Sequence, residues 1–457
     1  MRIQRSLAFG TALVIVGCRS APNTVVQRSS SSSAWTRSAV IYEINVRQYT
    51  PEGTFAAFDR HLAHFDSLGV DILWVMPVQP IGKLNRKGTL GSYYSISDYR
   101  AFNPEFGSAD EFKKLVSDMH QHGKKVVLDW VPNHTSFDHV WVKDHPDWYV
   151  HGADGKIINA RDNEGHDTDW TDVAELDYDK PAMRVAMIAD MRWWLDNMGI
   201  DGFRCDVAGG VPMDFWREAR RELTAVKPDL FMLAEAEGPA FYPAFDATYG
   251  WELHHLLNEI AENKRSTSEL DGYFARQRRS YPPTAYRMYF TSNHDENSWS
   301  GTEFERMGEN HQAAFILAAT AQLGIPLIYT GQEVSLRKRL RFFEKDTVDW
   351  SGTSLMSFYR SVVDLKHANA ALWNGAAGGE QVKLETDGGN RVYAFSRTRG
   401  ENSVIVAVNF GDAPVHAQYT GLAQSGQFTD WFSKSRLMLG ALGTIEIPAH
   451  GYRVLVR

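Results

Sequence analysis

The chain has 457 residues, 43% hydrophobic and 23% charged, a balance ordinary for a globular fold with one large domain and one or two small ones. The formal net charge of −8 argues against a nucleic-acid partner, which would favour a basic face, and leaves a neutral ligand open. Aromatic residues make up 12% of the chain, enough to fill a core and still offer stacking faces.

Arg2 and Arg5 precede the apolar run Leu7 to Gly17, which is too short to span a membrane and reads as the apolar region of a signal peptide. It ends in Ile15-Val16-Gly17-Cys18, which resembles a bacterial lipobox. That resemblance implies removal of residues 1–17 and lipidation of Cys18. The product would be an exported lipoprotein held at the membrane, facing the periplasm or the cell surface. An ordinary signal peptide with an incidental cysteine is the alternative. Residues 18–37, with the run Ser29 to Ser33, are expected to form a polar, flexible tether. Cys18 and Cys205 are the two cysteines, so a lipidated Cys18 leaves no internal disulfide and the fold must rest on its core.

Beyond the tether, short apolar runs alternate with amphipathic stretches. Strands are predicted at Ile41–Ile44, Asp71–Val75, Lys125–Asp129, Ile200–Asp206, Leu230–Glu235, Ala244–Asp246, Arg287–Phe290 and Pro326–Tyr329. Phe55, Phe58, Leu62, Phe65 and Leu68 recur at helical spacing before Gly69. Phe112, Leu115, Val116 and Met119 do so before Gly123, and Met187, Met191, Trp194, Leu195 and Met198 before Gly199. Eight strand–helix units read as a (β/α)₈ TIM barrel, an α/β fold, expected over 38–134 and 181–368. A doubly wound open sheet is disfavoured, because no Gly-x-Gly-x-x-Gly turn follows the first strand. The connection after the third strand, 135–180, is long for a βα loop and reads as an inserted subdomain. From 369 to 457 helical periodicity gives way to strand-like runs such as Ser403–Val408, which predict a C-terminal antiparallel β domain.

Polar residues at the C-terminal ends of barrel strands face the active-site mouth. Here those ends carry Asp129, Asp206, Glu235 and, after the seventh strand, Asp295 beside His294. Alternation along the fourth strand sends Arg204 and Asp206 toward the mouth and Phe203 and Cys205 toward the helices. Arg204 is expected to hold Asp206 ionised, as a nucleophile must be. Glu235, following the apolar run Leu230 to Ala234, is expected to be pushed up by burial and by neighbouring acids, as a general acid requires. Glu237 is the competing candidate for that role.

These residues sit in strings that resemble the α-amylase family of glycoside hydrolases. The strings are Asp129-Trp130-Val131-Pro132-Asn133-His134, Gly202-Phe203-Arg204-Cys205-Asp206, Phe231-Met232-Leu233-Ala234-Glu235 and Phe290-Thr291-Ser292-Asn293-His294-Asp295. Tyr94-Ser95-Ile96-Ser97-Asp98-Tyr99 and the run Gly324 to Glu333 add to them, in the family's order. The resemblance implies Asp206 as nucleophile, Glu235 as acid/base and Asp295 as transition-state stabiliser. It also implies that Arg204 orients Asp206, that His134 and His294 bind sugar hydroxyls, and that Tyr94 stacks on the reacting ring. A retaining mechanism follows, with the Asp206 and Glu235 carboxyl groups expected about 5–5.5 Å apart.

The sequence departs from the family beside the nucleophile. Gly209 and Gly210 stand where many members have Lys-His, which removes a leaving-group contact and a ligand of the usual calcium site. Asn133 and the acids Asp162, Asp167, Asp169 and Asp172 leave room for a structural calcium, but a solvated acidic loop is the simpler reading. No metal or other cofactor is expected to be needed. Val207 is common in relatives that cleave α-1,6 bonds, while Val173–Asp177 fits no specificity pattern closely, so the linkage stays open. Arg337 to Arg341 and Asp346 are candidates for gripping an outer sugar, with a solvated basic turn as the alternative. The expected partner is a starch-like α-glucan or a malto-oligosaccharide, with membrane contact through the lipid anchor and no nucleic acid. The competing readings are an α-1,6-glucosidase or transglycosylase of the same family, a non-catalytic glycan-binding protein, and a metal-dependent barrel hydrolase.

Overall fold

Eight of the short apolar runs form strands that close into one parallel ring. The structure, a computed structural model, describes residues 34–457; the signal segment, Cys18 and the tether up to residue 33 lie outside the described residues. The barrel strands are β1 (Ile41–Ile44), β2 (Ile72–Val75), β3 (Lys125–Trp130), β4 (Gly202–Cys205), β5 (Phe231–Ala234), β6 (Ala247–Tyr249), β7 (Tyr286–Tyr289) and β8 (Gly324–Tyr329). Each pairs with its sequence neighbours, and β1 pairs with β8. The sixth strand is displaced from its predicted place. Ala244–Asp246 is a loop whose Asp246 carboxylate is tied to Arg220 and to the amide of Met232, and the strand begins at Ala247.

Alternation divides each strand between two cores. Ile41, Trp74, Val127, Leu233, Met288 and Leu327 fill the inside of the barrel. Tyr42, Leu73, Leu128, Phe203, Cys205 and Met232 pack outward in the larger core that joins barrel to helices. Gly202 is required where β4 meets β5, because a Cβ there would stand 2.0 Å from the carbonyl oxygen of Phe231.

The helical predictions hold, with one break. Phe55 to Leu68 forms two pieces, Phe55–Asp59 and Leu62–Leu68, and Gly69 ends the second in the left-handed region. Ala109–Gln121 starts with a capping box, Ser108 with Glu111, and Pro181–Met198 ends at Gly199. Ala34–Thr36 is a helical turn rather than tether: Trp35 packs on Phe231, and Asn374 holds the carbonyls of Thr36 and Ala39.

Within the insertion, His134–Ser136 and Val173–Glu175 pair as an antiparallel ribbon over the barrel mouth. Beyond the helix Met356–Ala368, two antiparallel sheets of six and three strands enclose their own core of Leu384, Ile405, Phe428, Ile447 and Leu455. Among the described residues no helix is long and apolar enough to cross a membrane.

Candidate active site

The C-terminal ends of the strands open into a cavity of about 720 Å³ lined by Tyr94, His134, Asp206, Glu235, His294 and Asp295. Six of the seven predicted site residues therefore share one space. The seventh, Arg204, lies beneath its floor, fully buried.

Arg204 organises the floor. Register pairs it with Asp129 across β3 and β4, and its Nη1 donates to Asp129 Oδ1 at 2.9 Å and Asp206 Oδ1 at 2.8 Å. Nη2 lies 2.7 Å from Glu235 Oε1, an ion pair without hydrogen-bond alignment. Nε donates to the hydroxyl of Tyr249. Asp129 also accepts from Trp74 Nε1 and from the Tyr94 hydroxyl, both at 3.1 Å, which commits it to holding the floor together.

One cation shared among three buried acids cannot offset their desolvation in full. Burial pushes Asp206 up to about 6, against the pull of Arg204, where the sequence alone suggested that Arg204 would dominate. Glu235 is pushed further, to about 8, by burial and by the charges of Asp206 and Asp295, with Arg204 and the Val207 amide opposing. At neutral pH the pair divides as its expected roles demand, with Asp206 ionised and Glu235 protonated.

Glu235 also meets the backbone beside Asp206: its Oε2 accepts from the amide of Val207 at 2.8 Å. To present that amide, Val207 adopts φ 41° and ψ 45°, a left-handed conformation that a β-branched residue rarely takes. Glu237, the competing acid, faces elsewhere. It is ion-paired with buried Arg287 and accepts from the amide of Glu252 at a helix start.

The two histidines differ. Burial drives His134 down to about 3, so it is neutral, and its Nε2 stands 3.9 Å from Asp206. For His294 burial also works against the cation, but Asp295 and Glu43 outweigh it and hold the ring up at about 9. Its Nδ1 meets Glu43 Oε1 at 2.5 Å, and its Nε2 lies 2.8 Å from the Tyr94 hydroxyl and 3.3 Å from Asp295.

Sequence reasoning missed Glu43 and the aromatic wall. Glu43 is fully buried in β1, and a charged residue within the apolar run Ile41 to Ile44 was the signal available. Trp299, Phe342 and Phe343 line the cavity, Phe342 lying nearly parallel to Tyr94 with ring centres 6.2 Å apart. Trp299 is 56% exposed, as an aromatic awaiting a partner would be. The basic run before this wall does not line the cavity. Arg337 lies over the Phe304 ring, Arg339 pairs with Glu305, and Lys338 and Arg341 pair with Asp346.

The residues named for a structural calcium are engaged with their own loop. Asp162 accepts from the amides of Glu164 and His166 in its own loop, and Asn133 donates to the carbonyl of Arg161. The loop is closed onto the nucleophile strand by a direct bond, Gly209 N–H to Asn163 Oδ1 at 2.7 Å. A Cβ at Gly210 would stand 2.5 Å from Asn133 Oδ1. Among the described residues Asp162, Glu164 and His166 bring ligand atoms within 4.8 Å of one another, on an exposed loop.

Known proteins resemble this chain over most of its length. Residues 28–374 match the model of the α-amylase catalytic domain, and 384–452 that of the α-amylase C-terminal all-β domain. The crystal structure of a noncanonic maltogenic α-amylase, AmyB from Thermotoga neapolitana, is similar at 28% identity and a TM-score of 0.82, covering 92% of this chain and 98% of that one. An α-amylase structure from Lactobacillus plantarum is similar at 29% identity and a TM-score of 0.81, covering 93% and 99%. The α-amylase MalA of Haloarcula japonica is 27% identical over 444 residues, 90% of this chain, which spans 63% of that protein's length.

Proposed function

The chain belongs to the α-amylase family, and on that premise we propose that it hydrolyses α-glucosidic bonds in starch-like α-glucans or malto-oligosaccharides with retention of configuration. The observation that carries this reading is the grip of one buried guanidinium, Arg204, on two carboxyl groups, Asp206 and Glu235, of which burial and neighbouring charge push Glu235 up further. Asp206 attacks the anomeric carbon while Glu235 gives its proton to the departing glycosidic oxygen. The glycosyl–Asp206 ester then forms as the C–O bond to the leaving group breaks. Glu235, now a carboxylate, takes a proton from water, and the resulting hydroxide opens the ester. Sharing one guanidinium and one stretch of backbone keeps the two carboxyl groups close, which favours this covalent route over an inverting one.

Asp295 and His294 hold hydroxyls of the reacting sugar, His134 donates from the other wall, and Tyr94 stacks on the ring. The leaving group departs on the side of Glu235 and β5. Phe342 and Trp299 stand on the half of the ring away from β5, so they receive the sugar units that stay with the enzyme. The likeness to a maltogenic α-amylase supports an α-glucan as substrate. The lipobox-like Ile15 to Cys18 supports an exported, lipid-anchored enzyme facing the periplasm or cell surface.

The test is a panel of maltotriose, isomaltose, panose, pullulan, cyclodextrin and starch, followed by NMR of the anomeric proton in the product. The expected result is an α-anomer released by wild type and none by Asp206→Asn. A β-anomer, or full activity in Asp206→Asn, overturns the mechanism. Isomaltose or panose cleaved in preference to maltotriose would assign α-1,6 action. Loss of membrane fractionation in Cys18→Ser tests the anchor.

A further inference from the structure

We infer that Glu43, on β1, is a positioning residue for this reaction: it makes His294 a standing cation with a hydrogen on both ring nitrogens, so that Nε2–H is a permanent donor to the Tyr94 hydroxyl and Asp295 at the cavity wall. The inference rests on the sugar-cleaving reading for its consequence, and on geometry for its substance.

The proton positions follow from counting donors and acceptors. The Tyr94 hydroxyl has one hydrogen, and it is donated to Asp129 Oδ2. Toward His294 the same oxygen must therefore accept, which requires a hydrogen on Nε2. Asp295 Oδ2, 3.3 Å from the same nitrogen, asks for that hydrogen as well. Nδ1 faces Glu43 Oε1 at 2.5 Å, and a second proton is needed there. A neutral imidazole carries one hydrogen, so the second proton sits on Nδ1 or on Glu43 Oε1, and the Asp295 carboxylate beside Nε2 draws it to the ring.

Charged and titratable groups face the pair from several elements, and among them Asp295 and Glu43 favour the cation. Glu43 comes from β1, Asp295 from the loop after β7, Tyr94 from the loop after β2 and Asp129 from β3, while Tyr249 and Tyr329 face Glu43 from β6 and β8. Arg204 on β4 opposes it, but its charge is taken up by Asp129, Asp206 and Glu235. Glu43 Oε2 has no hydrogen-bond partner, so its carboxylate has no neutral use that accounts for its burial. Trp74 meets the His294 ring edge-on, and Phe342 lies 6.3 Å from it, which leaves the ring little freedom to turn away.

The consequence is mechanistic. A donor on a cation makes a shorter and stronger hydrogen bond than a neutral one. Here that donor holds the Tyr94 hydroxyl and the Asp295 carboxylate in place at the cavity wall, and Glu43 and Trp74 fix the ring's orientation.

The experiment is ¹⁵N NMR of the whole enzyme labelled at histidine, read at pH 7.5, with His294→Gln used for assignment. Both ring nitrogens of His294 are expected at imidazolium shifts in wild type. In Glu43→Gln they should move to neutral values, with the titration midpoint falling from about 9 to below 7. Activity on maltotriose in Glu43→Gln should fall about tenfold at pH 7.5, the factor that separates charged from neutral hydrogen bonds, chiefly in kcat. It should recover as pH is lowered and the ring protonates. A neutral His294 in wild type at pH 7.5, or an unchanged imidazolium in Glu43→Gln, overturns the inference. Should Glu43→Gln not fold, the wild-type spectrum alone still decides, and Glu43→Asp should give an intermediate midpoint. Because the spectrum needs no turnover, it stands apart from any failure to cleave α-glucans.

Discussion

Two of the places where this protein buries positive charge treat it oppositely. At the barrel mouth Arg204 meets three carboxyl groups, Asp129, Asp206 and Glu235. Where the barrel joins the C-terminal sheets, Arg397 meets backbone carbonyls: those of Gly379, Thr320, Ala321, Leu372 and Trp373. Lys366 lies beside it, sharing the Leu372 carbonyl and reaching those of Gly324 and Ala319. Burial presses Arg397 down to about 9 and Lys366 well below its usual range. Carbonyl dipoles partner a buried cation without taking up protons themselves. Carboxyl groups around a shared cation compete for it, and the losers keep protons that chemistry can use.

The largest test of that contrast is Asp206→Asn. Activity should fall about 10⁴-fold or more. Its stability should move the other way. In the folded protein the Asp206 carboxyl sits at about 6, against about 3.9 in an unfolded chain. Between those values the folded state keeps a proton that the unfolded state has lost, so Asp206 lowers stability as pH rises through that window, and the deficit persists above it. Asn carries no such deficit. Denaturant titration at pH 7 should find Asp206→Asn more stable by about 1–3 kcal/mol, and the gain should vanish near pH 3.5. A variant destabilised at pH 7 would break the comparison.

Next in size is the pH profile. The kcat/KM curve should be a bell with its acid limb near 6, from Asp206, and its alkaline limb near 8, from Glu235. Glu235→Gln should lose about 10²–10⁴-fold in rate. Its residual activity, or its rescue with azide, should no longer fall on the alkaline side at that position.

Arg397→Met should behave as the mirror image of Asp206→Asn. Stripping buried carbonyls of their donor should cost at least about 3 kcal/mol in denaturant unfolding. In the fraction that remains folded, kcat should stay within about twofold of wild type, because no residue of the cavity touches Arg397. A large loss of kcat would show that the junction and the mouth are coupled.

The smallest effect expected is at the aromatic wall. Trp299→Ala should raise KM for maltopentaose about two- to tenfold, the worth of one stacking contact, while a short aryl glucoside is turned over as before. An equal effect on both substrates would move Trp299 out of the outer subsite.

The barrel was legible in the chain because short apolar runs recur along it with stretches of helical spacing between them, and strand-end acids in such a fold point one way. Ala244–Asp246 was misread because β6 has three residues and no alternation to speak of, so its position follows from pairing with β5 and β7. Phe55 to Leu68 showed one helical stripe although the helix breaks near Arg60, since both pieces bury their apolar residues in the same core.

At the site, the sequence by itself determined the identities of Asp206, Glu235, Asp295, Arg204, Tyr94, His134 and His294, because each follows a strand or lies in a family string. It could also separate Glu235 from Glu237 by place along the strand. What tertiary structure alone decided were the couplings. Burial outweighs Arg204 at Asp206, since that guanidinium is divided among three acids drawn from β3, β4 and β5. The partner of His294 is Glu43, 251 positions away. The outer wall is Trp299, Phe342 and Phe343, not the basic run beside them. The physical reason is common to all three: a proton's position and a side chain's partner depend on distances across the barrel mouth, and those exist once the ring has closed.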